Sequence, residues 1–228
     1  KVFESGAKVV GLDMVFSEPD TRVSEELKET LTRMGMEQVA LKAETDPVLT
    51  STIEAHPDHL VLGWTTENAC QPGYSDPEDC PVTHPDAIAS HPENFKRFAY
   101  THSTIPQGFD PAKTPIMSFV TFIANIPSYN GAAKHAGTFN AFPDADSFIR
   151  RSSLVLFANG VPYPTLPLEM ARIGMGEELE VEIDEEHKVK KIGFHQSQRM
   201  IPVTPLGTME VNFRGPAYTF PYVSALEI

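Results

Sequence analysis

The chain has 228 residues, with 18 Lys and Arg against 31 Asp and Glu, a net charge of −13 and 41% hydrophobic residues. This length and hydrophobic content are typical of one globular domain. The acidic balance argues against nucleic acid and anionic membrane surfaces as partners, because phosphate contacts need clustered Lys and Arg, which the sequence lacks.

The first elements along the chain predict a parallel β-α-β unit. The near-continuous apolar run of residues 8–16 is typical of a strand covered on both faces. Residues 24–34 predict a helix that Ser24 caps. A second helix is expected to begin with Asp46 as its cap, with proline in the first helical position. The apolar run of residues 59–64 would complete a right-handed crossover.

The middle of the chain is rich in proline and contains both cysteines. Eight of the 20 prolines lie between residues 72 and 115, and we expect a Pro-rich insertion, mostly loop, at about residues 66–115. Cys70 and Cys80 enclose a short Pro/Gly/Asp-rich segment. This pattern favours a disulfide over two free thiols or a metal site, which would need two further ligands. A disulfide would indicate an oxidising compartment.

The second half of the chain predicts further strands and one helix. Strands are expected over residues 137–142 and 148–157, the second ending in a hairpin turn. Residues 165–173, closed by Gly174, predict a helix. Short alternating runs from residue 178 onward predict an antiparallel meander. The expected fold class is therefore α/β, a mixed sheet with a parallel βαβ core flanked by helices and a C-terminal antiparallel meander.

Asp13 is an acidic residue near the expected carboxyl end of the first strand. Open α/β sheets place their ligand crevice at this end of the parallel strands. A buried carboxylate there would need a partner, which a ligand, a metal ion or an arginine would supply. Asp13 is thus predicted either to cap a loop or pair with an arginine, or to take part in binding.

Asp144 and Asp146 stand two residues apart in a polar corner. Such a pair can begin a calcium loop, but the twelfth residue counted from Asp144 is Val155, where that loop requires glutamate. The residues therefore favour an Asx-type turn, in which the aspartates bind their own backbone, over a cation site.

Arg150 and Arg151 continue from this corner into the predicted strand, where adjacent side chains point to opposite faces. We therefore expect that at most one of them serves a ligand and that the other meets an acidic residue elsewhere. Arg214 is a comparable candidate near the end of the chain.

Signatures of catalysis and metal binding are missing from the sequence. The eight histidines are scattered and form no H-E-x-x-H, so no metal is assigned. No G-x-S-x-G, G-x-x-x-x-G-K-[ST] or G-x-G-x-x-G is present. We predict no catalytic residue and no cofactor for this domain.

Three segments resemble, in this order, conserved blocks of the type-two CHASE domain: GAKVVGLDMVFSEPD, GTFNAFPDADSFIRRSSLVL and EVNFRGPAYTFPYVSALEI. They bracket nearly the whole chain. The middle block departs from the family in having Ser147 where a glycine is usual.

The resemblance implies one extracytoplasmic sensory domain over residues 1–228, belonging to a bacterial membrane receptor. The receptor's cytoplasmic output would be an adenylate cyclase, a histidine kinase or a Ser/Thr kinase, and this domain itself would not be an enzyme. The sequence opens at Lys1 with neither an initiator Met nor a signal peptide, and no apolar run reaches the roughly 18 residues that span a bilayer. We therefore expect the periplasmic or extracellular part of a membrane-anchored parent that forms homodimers.

The ligand is not implied by the family. Our hypothesis is a small polar or anionic molecule near Asp13, with Arg150, Arg151 or Arg214 as its counter-charge. One alternative is a ligand-free dimerisation module. Another is an extracytoplasmic metal-dependent hydrolase with Asp13 and the two corner aspartates as metal ligands.

Overall fold

The computed structural model describes residues 2–21, 23–36, 38–39, 44–66, 95–111, 113–119, 122–144 and 146–224. Cys70 and Cys80 lie outside the described residues, as does much of the Pro-rich insertion, so the disulfide stays a prediction. None of the helices in the described part of the chain is long and apolar enough to span a membrane.

The first sheet contains three parallel strands in the order β1 (Val10–Leu12), β2 (Leu60–Trp64) and β5 (His135–Thr138). Every residue of the central strand β2 is buried, which explains its continuous apolar run. The predicted parallel βαβ core is confirmed. The first strand is shorter than the predicted residues 8–16, because its ladder with β2 ends at Leu12.

Two helices fill the crossover between β1 and β2. Helix α1 spans Glu25–Arg33 and α2 spans Asp46–Ala55. The predicted cap of α1 is confirmed, since Ser24 Oγ accepts a hydrogen bond from the backbone N–H of Leu27 at 3.2 Å. A short third helix, α3 (Pro127–Ala132), packs against α2.

Asp46 has a different role from the one predicted. Thr45 is the N-cap residue of α2, and Asp46 is its first helical residue. The Asp46 carboxylate instead accepts hydrogen bonds from the backbone N–H of Asp20 at 2.8 Å and from the Tyr129 hydroxyl at 2.5 Å. It therefore joins the segment after β1 to α3.

A second sheet has the order β11 (Arg199–Met200), β10 (Val189–Phe194), β9 (Leu179–Ile183) and β3 (His102–Thr104). The predicted antiparallel meander is confirmed for β9, β10 and β11. Strand β3, from the Pro-rich segment, lies parallel to β9 at the edge of this sheet. The local pattern gave no sign of this pairing, because it joins residues about 80 positions apart.

Two smaller sheets contain the remaining strands, which are β4 (Ser118–Phe119), β6 (Arg151–Ser153), β7 (Val155–Ala158), β8 (Val161–Pro164) and β12 (Thr208–Glu210). The single strand predicted over residues 148–157 is two strands, because the chain changes sheets at Leu154. Strand β6 pairs with β12, whereas β7 pairs with β4 and β8. Strand β12 therefore leaves the predicted meander.

Helix α4 (Leu166–Met175) lies against the first sheet. It continues through Gly174 to Met175 and is capped by Gly176, whose φ of 68° is left-handed, so the predicted end at Gly174 is wrong. Its first residue lies so close to β5 that a Cβ on Gly137 would stand 2.6 Å from the backbone of Leu166. The absence of a side chain at Gly137 lets α4 approach this strand.

Candidate functional site

A cleft of about 430 Å³ lies where elements of the first and second sheets meet. Its walls are residues 97–101, which lead into β3, residues 133–135 at the start of β5, the middle of α4, and residues 178–179 at the start of β9. The volume is within the range of small-molecule sites, about 300–1,000 Å³.

An ion pair on α4, between buried Glu169 and half-buried Arg172, forms part of the cleft wall. Arg172 donates from Nε to Glu169 Oε2 at 2.8 Å and from Nη2 to Glu169 Oε1 at 2.7 Å. His135 Nδ1 lies 3.1 Å from Glu169 Oε1 and 3.0 Å from Arg172 Nη2. Arg172 Nη1 also donates to the backbone carbonyl of Glu177 at 3.2 Å. The network links α4 to β5 and to the segment before β9.

The surroundings of Glu169 determine its charge. Burial is the largest influence and favours its neutral form, but the hydrogen bonds from His135 and Arg172 together outweigh it, so the pKa of Glu169 lies below its ordinary value. Tyr100 also lines the cleft, and burial, aided by the Glu169 charge, raises its pKa well above 10.0. Its hydroxyl donates to the Leu154 carbonyl at 2.9 Å. At neutral pH Glu169 is therefore charged and Tyr100 neutral.

Two further cationic residues line the cleft. The guanidinium of Arg97 lies 4.7 Å from the ring centroid of Phe98 and donates to the backbone carbonyl of Asn130. No ion pair joins Arg97 to a carboxylate among the residues that the structure describes. Lys134 pairs with Asp58 at the surface, where the side chains are 58% and 59% exposed. Such exposed pairs are weak.

Glu178 lines the edge of the cleft. Its Oε2 lies 2.7 Å from Nε2 of His102, and the ring of His102 stacks on that of His195 at a centroid distance of 3.8 Å. The hydrogen bond with His102 is the largest influence on the pKa of Glu178, which it lowers. Glu178 is thus an ionised carboxylate whose hydrogen-bond partner belongs to the second sheet.

The structure places Asp13 and Arg214 outside this cleft. Asp13 is exposed directly after β1, so the expectation of a buried carboxylate there is wrong. Asp13 follows the carboxyl end of the parallel strand β1, whereas Lys134 and His135, which line the cleft, stand at the amino end of β5. Arg214 is exposed in the irregular C-terminal segment. Binding by these two residues stays a prediction.

Asp144 contacts both Arg150 and Arg151, whose side chains were expected to point to opposite faces of a strand. Its Oδ2 accepts from Arg150 Nη1 at 3.3 Å, and its Oδ1 accepts from Arg151 Nε at 3.0 Å. Arg150 also donates twice to Asp146, at 2.8 and 2.7 Å. The expectation that the two arginines point to opposite faces is wrong, because β6 begins at Arg151 and strand alternation does not apply to Arg150. That at most one of them serves a ligand stays a prediction.

The polar corner is a tight turn. The backbone N–H of Phe148 donates to Asp146 Oδ1 at 3.3 Å, which is an Asx-turn hydrogen bond, and that of Asp144 donates to the Phe148 carbonyl at 2.8 Å. Ser147 has a φ of 67°, in the region that favours glycine. The turn thus explains why glycine would be usual at this position.

No group of three or more His, Cys, Asp or Glu within the described ranges could hold a metal ion. The oxygens of Asp144 and Asp146 contact guanidinium groups instead. This geometry offers no support for the hydrolase alternative.

Sequence reasoning missed the residues that line the cleft. One signal was present for Glu169 and Arg172, since a charged pair three residues apart in a largely apolar helix indicates an ion pair on one face. Arg97 and His135 carried no comparable signal, because only the packing of the two sheets brings them near α4.

Together these features define a mixed α/β domain with an open, charged cleft of small-molecule size. The family model of the CHASE2 domain matches residues 1–228, and the chain therefore belongs to the CHASE2 domain family. This is a family of extracytoplasmic sensory domains in signalling receptors, which confirms the resemblance. The comparison with curated proteins gives no match, and neither does the comparison with solved structures.

Proposed function

We propose that this domain is the ligand-sensing part of a bacterial transmembrane receptor and that it binds a small polar molecule in the cleft. Family membership supports an extracytoplasmic sensory role. The observation that carries ligand binding is the ion pair of buried Glu169 with half-buried Arg172, which lines an open cleft of about 430 Å³. Burying a charged side chain has a desolvation cost. Binding of a ligand with polar groups is one reason for a protein to retain such a side chain.

The position of the cleft suggests how binding would be transmitted. A molecule in it would contact α4, which packs on the first sheet, and Glu178, which directly precedes strand β9 of the second sheet. Binding would favour the arrangement of the two sheets that closes best around the ligand. Such a population shift requires a higher affinity for one arrangement than for the other.

The receptor that we propose is membrane-anchored and homodimeric, with this domain in the periplasm or outside the cell. Its output would be an adenylate cyclase, a histidine kinase or a Ser/Thr kinase. The Cys70–Cys80 disulfide, where formed, would be consistent with an oxidising compartment.

Thermal melting of residues 1–228 against a set of small polar molecules tests ligand binding. We expect at least one compound to raise Tm, because a ligand of the folded state stabilises it by mass action. Thr101→Trp should abolish that rise by filling the cleft from an exposed position on its wall. Thr104→Trp is the matched control, since Thr104 is exposed but does not line the cleft. A screen without any stabilising compound, or an unchanged shift in Thr101→Trp, would contradict the proposal.

A second candidate function, subunit association, is favoured by a separate observation. Five apolar side chains of the C-terminal segment are 60–81% exposed, namely Phe213, Tyr218, Phe220, Tyr222 and Val223. Exposed aromatic clusters are typical of protein interfaces. Sedimentation equilibrium would show a dimer that Phe220→Ser weakens, whereas a monomer at all concentrations would contradict this function.

A further inference from the structure

We infer that the ligand of the cleft is an anion with a carboxylate or phosphate group, which binds between Arg97 and Lys134. This inference rests on the proposed function and adds the chemical class of the ligand. It follows from how the charges on the cleft wall are partnered.

The two acidic residues of the wall are already paired. Glu169 receives two hydrogen bonds from Arg172, and Glu178 is hydrogen-bonded to His102. A cationic ligand would have to compete with these partners. The acidic residues therefore offer little attraction to an amine.

Arg172 is nearly saturated as a donor. A guanidinium has five N–H groups. Arg172 donates from Nε and Nη2 to Glu169 and from Nη1 to the Glu177 carbonyl, and its second Nη2 N–H faces His135 Nδ1 at 3.0 Å, so four of the five are directed at the protein. It therefore positions the wall and has at most one N–H for a ligand.

Arg97 is positioned without being neutralised. The Phe98 ring and the Asn130 carbonyl hold its guanidinium, and both partners are uncharged. Its fork of donors matches the two oxygens of a carboxylate or phosphate group. Lys134, on the wall formed by residues 133–135, forms among the described residues an exposed pair with Asp58, so it can turn to a bound anion at little cost.

The net charge of the whole domain differs in sign from that of the free charged group in the cleft. The chain carries a net charge of −13, yet among the described residues of the cleft wall the charge without an ionic partner is that of Arg97, a cation. In an acidic domain, a charge arrangement of this kind is expected at a site that must attract an anion locally.

Isothermal titration calorimetry of residues 1–228 tests the inference with defined probes. Inorganic phosphate, sulfate and succinate are the anions, ribose is the neutral compound and putrescine the cation. We expect at least one anion to bind, and phosphate against succinate distinguishes the two oxyanion chemistries. Arg97→Ala should weaken that binding about tenfold or more, as loss of a charge-assisted hydrogen bond implies.

Three further variants test which charge on the cleft wall binds the anion. Lys96→Ala is the matched control, because it removes the same charge from the neighbouring exposed residue, which does not line the cleft. Glu178→Gln should instead tighten anion binding, since it removes a like charge from the edge of the cleft. Melting curves without ligand report whether each variant is folded, and Arg97→Lys, which keeps the charge but not the fork, should bind with intermediate affinity.

The outcomes separate this inference from the proposed function. Binding of ribose or putrescine alone would overturn the inference and leave a ligand-sensing domain in place. Equal anion affinities in Arg97→Ala and Lys96→Ala would also overturn it. If no compound binds, in this set or in the wider thermal screen, the proposed function itself is contradicted.

Discussion

Glu169 and Arg172 lie one turn apart on α4 and are joined by two hydrogen bonds, of 2.8 and 2.7 Å, with side chains only 9% and 17% exposed. The same arginine reaches the Glu177 carbonyl at the end of the helix. The pair thus orients the cleft wall and also stabilises the junction between α4 and the second sheet.

Removing one partner of this pair should destabilise the fold strongly. Arg172→Met leaves the Glu169 carboxylate buried without its main partner, and we expect a loss of about 3 kcal/mol in unfolding free energy. Urea denaturation at pH 7 measures it. Lys190→Ala, which breaks an exposed pair with Glu182, should scarcely change stability. A loss in Arg172→Met no larger than in this control would show that the pair is not structural.

The same carboxylate should make stability depend on pH. Burial opposes its ionisation, but its hydrogen bonds hold the pKa of Glu169 below the ordinary value of 4.5. Between the folded pKa and 4.5 the unfolded chain binds more protons, so unfolding free energy falls as pH falls. The contribution is complete above 4.5 and lost as pH drops through the folded pKa.

Glu169→Gln tests this contribution, because it removes the carboxyl group while keeping the size and shape of the side chain. Below pH 4.5 its stability should vary less steeply with pH than that of the wild type, as measured by urea denaturation in steps from about pH 6 to pH 3. Parallel curves for the two proteins over this range would contradict the lowered pKa.

The contact between β5 and α4 should depend on the absence of a side chain at residue 137. Gly137→Ala would place a Cβ 2.6 Å from the Leu166 backbone, and we expect it to cost about 1–3 kcal/mol through overpacking. Gly131→Ala is the control in α3, where a Cβ meets nothing within 4 Å. It should be neutral or stabilising by up to about 1 kcal/mol. Equal thermal stabilities of the two variants would contradict the close approach.

The arginines singled out by sequence give a test of the alternative ligand site. If a ligand binds near Asp13 with one of Arg150, Arg151 or Arg214 as counter-charge, alanine at that arginine should abolish ligand-induced thermal stabilisation. Because Arg150 and Arg151 already contact Asp144, we expect their removal to affect the polar corner first. Unchanged shifts in all three variants would exclude this site and leave the cleft around Arg97.

Local patterns were sufficient where a signal repeats over neighbouring residues. The fully apolar run of β2 indicated a buried parallel strand, and Ser24 marked the start of α1 through its side-chain oxygen. The alternating runs after residue 178 indicated the strands of the meander. In each case the pattern has a local physical cause. Strand burial on one or both faces and a helix cap one turn away both act within a few residues.

Sequence patterns failed to predict where the chain moves from one sheet to another or pairs with a distant segment. The division of the predicted strand at Leu154 and the pairing of β3 with β9 depend on which distant segment is nearby. Asp144 could accept hydrogen bonds from two consecutive arginines because the turn before β6 aims both toward it. No periodicity records such a turn.

The sequence by itself determined the family, the acidic α/β character and the parallel core, since these depend on composition, ordered blocks and local apolar runs. Only the tertiary structure decided where a ligand could bind. The cleft takes Arg97, His135 and Glu169 from three elements that are distant in the chain and meet because two sheets pack around α4. Such proximity of residues that are distant in the chain arises from long-range packing, which leaves no repeating pattern in the sequence.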